Sequence, residues 1–299
     1  MKVAGIILAA GTSSRYKTSS PKQFREFDGK PIIEYTIETM KNCNVDYIIL
    51  VVTPGWERYA YEKFPVDDVV TGGRSRQHST YNALDVCPND TDIVVIHDAA
   101  RPLVKPYVML ECINAVKDGA DGAEPVISSP DTITKVFGKT IIDIPSRKTL
   151  KIAHTPQVFV FQKILNAYEQ HLCHLDDFTD DMGVAVYSGL KCVTVRGTID
   201  GHKLTYPYDY EFLANLKIYA EADSFPVNVT NKEVLLFGGS GGIGKEVKRI
   251  LEDNGASVFA PSSKEVDLSE ESLDLSWFDT YDIIINCAGV MYKDDLDNP

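Results

Sequence analysis

The chain is short of everything that would staple, anchor or metallate it. Six cysteines lie scattered at positions 43, 87, 112, 173, 192 and 287 of 299 residues, with no CxxC pair among them. That spacing excludes a disulfide framework and the usual zinc patterns, and predicts reduced thiols in a cytoplasmic protein. Long hydrophobic runs are missing too. The opening "MKVAGIILAAG" holds one lysine and stops at Gly11, so it reads as a buried strand rather than a membrane span or a signal peptide. Positive charge is scarce: 30 Lys and Arg stand against 43 Asp and Glu, a net charge of -13. No nucleic acid and no membrane surface is therefore expected as a partner, and an anionic ligand would have to be met by a local cluster of cations. The one Cys/His group, "HLCHLDD" from His171, matches no zinc spacing and reads as a polar helix end.

What is present is a regular alternation. Short Ile/Val/Leu runs predict strands at 3–9, 46–53, 92–97, 122–127 and 192–196, and segments of helical period predict helices at 31–42, 75–86, 106–118, 162–170 and 207–222. That order is the mark of βαβ units and a mainly parallel sheet. The stretch "TITKVFGKTIIDIPS" differs, with two β-rich runs around Phe137, Gly138 and Lys139 that predict a hairpin arm and a candidate dimer contact. At "AEADSFPVNVTN" the pattern restarts. The expected organisation is therefore a domain over 1–222, a linker over 223–231 and a smaller Rossmann-like domain over 232–299.

The first strand delivers "LAAGTSSRYKTSSPKQF", a loop of small and hydroxyl-bearing residues with cations at fixed distances. Backbone N–H groups at a strand's carboxyl end suit phosphate oxygens, and Arg15 and Lys22, the latter stiffened by Pro21, would grip a polyphosphate from two sides. A Walker motif is absent; a plain strand exit with solvated cations is the alternative. In "VIHDAARP", Asp98 and Arg101 follow a very apolar strand, where open α/β sheets bind ligands. Asp98 is there either a magnesium ligand or a helix cap paired with Arg101. "GGRSRQHST" repeats the theme of glycine, cation and hydroxyl, with Arg76 among its cations.

Taken in order, LAAGTSSR, SPKQF, GGRSRQHS, HDAARP, HTPQVF, FTDD and HKLTYPYD resemble the sugar-phosphate cytidylyltransferase family over roughly residues 1–222. Methylerythritol-phosphate and ribitol-5-phosphate cytidylyltransferases both belong to that family. The resemblance implies a Rossmann-like α/β nucleotidyltransferase sheet with a projecting β-arm, CTP as nucleotide, a sugar-alcohol phosphate as acceptor, Mg2+ or another divalent cation, and a homodimer formed through the arm. Carried onto this sequence, it implies that Ala9, Ala10, Gly11, Gly73 and Ser79 read the nucleoside, with Arg76 beside them. It implies further that Arg15, Lys22 and Lys203 act on the reacting phosphates and that Asp98 organises the metal. Arg101, Thr132, Arg147, Thr179 and Lys203 would receive the sugar phosphate, Arg147 and Thr132 from the other subunit. One departure is Arg74, where relatives can carry an acid.

Beyond the restart, "VLLFGGSGGIGKEVKRIL" places Gly238, Gly242 and Gly244 between a strand and an amphipathic helix, a dinucleotide-binding fingerprint. With "EVDLSE" and "IINCAG" it resembles the short-chain dehydrogenase/reductase family, which implies an adenine contact at Asp267 and a cofactor lining from Asn286. Ser262, Ser263 and Lys264 would tolerate the 2'-phosphate of NADP. The family's catalytic Ser and Tyr-x-x-x-Lys are not found before Pro299, so the expectation is a partial NAD(P)-binding Rossmann domain without dehydrogenase activity. In bifunctional relatives such a domain makes ribitol 5-phosphate, and on that ground the sequence favours this acceptor over 2-C-methyl-D-erythritol 4-phosphate.

Overall fold

The computed structural model describes residues 1–11, 21–223, 229–262, 265–266 and 278–288, and its chain divides into two compact units, 1–221 and 222–299. In the first unit the strands that fill the centre are the most apolar ones, polar only where the last of them ends in His97 and Asp98. β1 (Val3–Ala9), β4 (Tyr47–Val52) and β6 (Ile93–Asp98) run parallel and are buried on both faces. Alternation then sorts their side chains. Ile7, Leu50 and Val95 pack on one side with α1 (Ile32–Asn42) and α4 (Pro106–Lys117). Ile6, Ile49 and Ile96 pack on the other with α3 (Arg76–Leu84), α5 (Phe161–Gln170) and α6 (Asp181–Tyr187).

Five further strands complete an eight-stranded sheet. β5 (Asp68–Thr71) pairs parallel with β4. On the far side, β11 (Gln157–Val160) lies antiparallel between β6 and β7 (Gly122–Ser128). β7 also carries β10 (Lys151–Ala153) antiparallel and β12 (Cys192–Arg196) parallel. A short β2 (Glu26–Phe27) and β3 (Lys30–Pro31) pair, helix α2 (Glu57–Lys63) and the C-terminal helix α7 (Asp209–Asp223) finish the unit. Between β7 and β10 stands a hairpin of β8 (Lys135–Phe137) and β9 (Thr140–Asp143), turned at Gly138 with φ +59°. Its apolar side chains Val136, Phe137, Ile141 and Ile142 are exposed.

The sheet is mainly parallel, as the alternation requires, but it holds more short elements than hydrophobic runs reveal. β5, β10, β11, α2 and α6 are each three to seven residues long. Segments that short carry too little period to be read, and pairing partners decide them. Helix starts are set by their neighbours. α3 opens after Ser75, whose hydroxyl accepts from the His78 amide, and α7 opens at Asp209, past the turn at Pro207. "HLCHLDD" forms a 3-10 turn over Leu172–Asp177.

The second unit is a three-stranded parallel sheet of order β14–β13–β15: β13 (Glu233–Phe237) is central, with β14 (Ser257–Phe259) and β15 (Ile283–Asn286) at its sides. Helix α8 (Gly242–Asp253) connects β13 to β14. Gly238, Gly242 and Gly244 lie at the β13–α8 turn, where Gly238 has φ +74° and a Cβ on Gly244 would sit 2.0 Å from the Gly238 carbonyl oxygen. Asn286 ends β15 and accepts from the Ala288 amide at 2.9 Å. Asp267, Ser263 and Lys264 lie outside the described residues.

Gly122 is where three strands crowd. It faces Phe159 of β11 and Cys192 of β12, and a Cβ there would stand 2.6 Å from the Phe159 ring. Gly122→Ala is therefore expected to overpack this junction by about 1–3 kcal/mol. Urea unfolding should show a lower midpoint at unchanged slope.

Candidate active site

At the carboxyl ends of β1 and β6 a cleft of about 340 Å³ opens, lined by backbone and small residues on one side and by cations on the other. Ala9, Ala10 and Gly11 leave β1 along its floor. Opposite them the turn at Gly72 and Gly73 closes in so tightly that a Cβ on Gly72 would lie 2.2 Å from Ala10 Cβ, and one on Gly73 2.5 Å from His78 Cβ. Glycine is required here by the close approach. The Gly73 amide donates to Ser79 Oγ at 3.0 Å, and Ser79 in turn donates to the Ser75 carbonyl at 2.9 Å.

Lys22 is held on a 3-10 turn, Lys22–Phe24, that is pinned from below. The Phe24 ring rests on Trp56 and Phe64, with centroids 5.3 and 5.6 Å away. The Gln23 side chain donates to the Ala9 carbonyl, and Lys22 Nζ to that of Leu204. Lys203 comes from the segment before α7. There the Leu204 amide donates to the Ala100 carbonyl at 2.8 Å, while the Asp209 carboxylate accepts the Thr205 and Tyr206 amides, each at 2.7 Å.

Asp98 gathers these parts. Its side chain is nearly buried, with Lys203 Nζ at 2.6 Å, Arg76 Nε at 3.2 Å and Arg101 Nε at 3.7 Å. Burial by itself would raise the carboxyl pKa, but Arg76, Lys203 and Arg101 override it and hold the group well below the usual range. Burial likewise works against a charged Arg76, yet Asp181 and Asp98 keep it protonated. Asp98 is the one carboxylate among the described residues of the cleft lining, and no group of three or more His, Cys, Asp or Glu converges as a metal site among the described residues. The donor set fits a divalent ion that brings most of its ligands with it, as phosphate and water, rather than an ion caged by protein.

Of the site residues expected from sequence, Ala9, Ala10, Gly11, Lys22, Gly73, Arg76, Ser79, Asp98 and Lys203 meet in this cleft. Arg101 packs behind it, donating to the Gly201 carbonyl and facing Asp98. Thr132, Arg147 and Thr179 are exposed and do not line it; Arg147 donates to the Pro130 carbonyl at 3.0 Å. Arg15 lies outside the described residues. Sequence reasoning missed Gln23 and Thr205, which line the cleft inside motifs it had quoted, and Asp181, which pairs with Arg76 at 2.7 Å. The signal for Asp181 was its place in "FTDD", although adjacent acids at a helix start read more simply as capping.

Beneath Asp98 the strand is locked by His97. Thr155 Oγ1 accepts the Asp98 amide at 3.1 Å and so turns its own proton toward His97 Nδ1, 2.8 Å away, while His97 Nε2 faces the Arg101 carbonyl at 3.3 Å. A neutral ring protonated at Nε2 satisfies every partner. Burial, reinforced by Arg101 and Arg76 against the opposing pull of Asp98, pushes His97 from 6.5 down to about 4. The unfolded chain thus binds the proton more readily between those values, and stability present above pH 6.5 is lost as pH falls toward 4. The unfolding free energy of the native chain should fall by about 3 kcal/mol more across that window than that of His97→Gln, measured by urea titration.

Residues 3–218 match the family described as 2-C-methyl-D-erythritol 4-phosphate cytidylyltransferase. The protein of that name from Thermosipho africanus is 33% identical over 219 residues, covering 71% of this chain and 96% of its own length. The bifunctional enzyme IspD/IspF of Nitrobacter winogradskyi is 36% identical over 216 residues, 70% of this chain and 54% of that protein. Among solved structures, 4-diphosphocytidyl-2C-methyl-D-erythritol synthase from Anaerococcus prevotii superposes with a TM-score of 0.63 at 26% identity, over 72% of this chain and 98% of that one. The family description, the Thermosipho africanus protein and the Anaerococcus prevotii structure carry the methylerythritol name, not the ribitol name that the sequence favoured. With the family match spanning most of the chain, the chain belongs to the 2-C-methyl-D-erythritol 4-phosphate cytidylyltransferase family and is a nucleotidyltransferase that uses CTP.

Proposed function

We propose that the chain transfers the cytidylyl group of CTP to 2-C-methyl-D-erythritol 4-phosphate, releasing pyrophosphate. The observation that carries this reading is the convergence of Lys22, Arg76, Asp98 and Lys203 on one cleft whose floor is backbone and alanine. The acceptor follows from the relatives' names. In this reading the acceptor's phosphate oxygen attacks the α-phosphorus of CTP in line, and the bond to the pyrophosphate leaving group breaks. The attacking oxygen is already ionised near neutral pH, so no side chain need remove a proton. What the protein contributes is position and charge: two anions that repel each other are brought together by Lys22, Lys203 and Arg15. Ala9, Ala10, Gly11, Gly73 and Ser79 hold the nucleoside, and Arg76 holds the wall beside it. Asp98 would hold the divalent ion, which when bound neutralises triphosphate charge.

The acceptor side is proposed to be completed by a second copy of the chain, seated on the exposed apolar arm, with Thr132 and Arg147 arriving from the partner beside Thr179 and Arg101. A second reading of the acceptor, ribitol 5-phosphate, is favoured by one observation. The second unit has a glycine-rich turn between β13 and α8 at the switch point of a parallel sheet, the form of a dinucleotide site, with Gly238, Gly242, Gly244 and Asn286 around it. In that reading residues 232–299 are part of an NAD(P)-binding reductase domain.

Lys22→Ala is expected to lower turnover on the order of 100-fold, about 3 kcal/mol, while leaving thermal unfolding unchanged. Pyrophosphate release near the native rate in this variant would remove Lys22 from the mechanism. Offered both acceptors with CTP and Mg2+, the native chain is expected to turn over 2-C-methyl-D-erythritol 4-phosphate selectively. Selective use of ribitol 5-phosphate would establish the second reading, and CTP binding without pyrophosphate release on either would leave a nucleotide-binding protein.

A further inference from the structure

Asp181 is wholly buried at the start of α6, and its two carboxylate oxygens face different ways. Oδ1 belongs to the core: it accepts from Thr80 Oγ1 at 2.9 Å and from the Tyr168 hydroxyl. Oδ2 belongs to the cleft wall, where it accepts from Arg76 Nη1 at 2.7 Å. The Asp181 amide is itself held by Gln157 Oε1 at 3.2 Å. A carboxylate this deep is stable only if a cation meets it, so Asp181 and Arg76 fix each other. Arg76 then reaches Asp98 Oδ1 through Nε at 3.2 Å, and its Nη2 is buried with no hydrogen-bond partner among the described residues. Two of the three guanidinium nitrogens are thus divided between two carboxylates. Asp98 keeps its other oxygen for Lys203.

We infer that Asp181 is a positioning residue for cytidylyl transfer, acting through Arg76 to keep Lys203 paired with Asp98 at the cleft. The inference rests on the cleft being the CTP site, as proposed above, and on neither acceptor in particular. With the charge of Asp181 removed, Arg76 has one carboxylate left and turns onto Asp98 as a two-pronged partner, the geometry guanidinium and carboxylate prefer. Lys203 is then displaced. The same change leaves three cations, Arg76, Arg101 and Lys203, facing one carboxylate instead of two, so the cleft becomes more positive. An anionic nucleotide should bind at least as tightly and react more slowly. Loss of structure alone would do the opposite to binding.

The test is Asp181→Asn in the full chain, with turnover, KM for CTP and CTP affinity measured beside near-UV circular dichroism. The expected result is a fall in kcat of about 100-fold with KM for CTP unchanged or lower. In an Arg76→Lys background the same substitution should add less than about threefold, because the path through the guanidinium is already cut. A folded Asp181→Asn chain with kcat within about threefold of native, an equal loss in both backgrounds, or a loss carried by raised KM would overturn the inference. Should Asp181→Asn not fold, Thr80→Val decides. It keeps the charge but frees one hold on Oδ1, and several-fold lower kcat at native KM supports the inference while native kcat overturns it. A native chain without turnover on any acceptor overturns the proposed function, and this inference with it.

Discussion

A single buried carboxylate organises the functional end of this molecule. Asp98 ends a strand whose every residue is buried, in a place where an unpaired charge would cost several kcal/mol. Three cations offset that cost, and each is delivered by a different part of the chain: Arg76 by the first turn of α3, Arg101 by the loop after β6, Lys203 by the segment before α7. The pairing therefore specifies more than a charge. It requires that a helix start and two loops meet within a few ångströms of one strand tip, which defines the cleft.

The same cluster explains how a protein with a net charge of -13 can gather cations at one cleft. The surplus of acid is spread over the surface, whereas the cations at the cleft are partly withdrawn from water and act at short range. Because Asp98 and Asp181 neutralise only part of that charge, the wall stays positive without the cations flying apart. Carboxylates here tune a cationic surface as much as they could ligate a metal.

How far the sequence disclosed this follows from what kind of residue carries each feature. Strands β1, β4 and β6 are built on runs of Ile, Val and Leu too short for a helix and rich in β-branched residues, so the core of the sheet was legible at once. The antiparallel insertion of β11 was not, because four residues, "QVFV", become a strand only when Asp98's neighbours in β6 offer a partner. In the cleft, glycine and lysine stand out by type. Gly73 and Lys22 sit in motifs rich in glycine, cations and hydroxyls, even though a plain strand exit with solvated cations reads the same way until the fold brings them together. Asp181 is silent for the opposite reason: an aspartate at a helix start is ordinary, and only packing reveals that it faces inward onto Arg76 rather than outward as a cap.

The asymmetry between the two halves of the proposed reaction has the same root. The half proposed for the nucleotide is made of backbone, small residues and partly buried ion pairs, all from one chain. Those groups tolerate little change, since a Cβ at Gly72 or Gly73 already collides with its neighbours. Of the residues proposed for the acceptor, Thr132, Arg147 and Thr179 are exposed, whereas Arg101 and Lys203 belong to the Asp98 cluster. Exposed positions can change without unfolding anything. Substitution at Thr132, Arg147 or Thr179 should therefore cost the fold less than substitution around Asp98, where every partner is partly buried and shared.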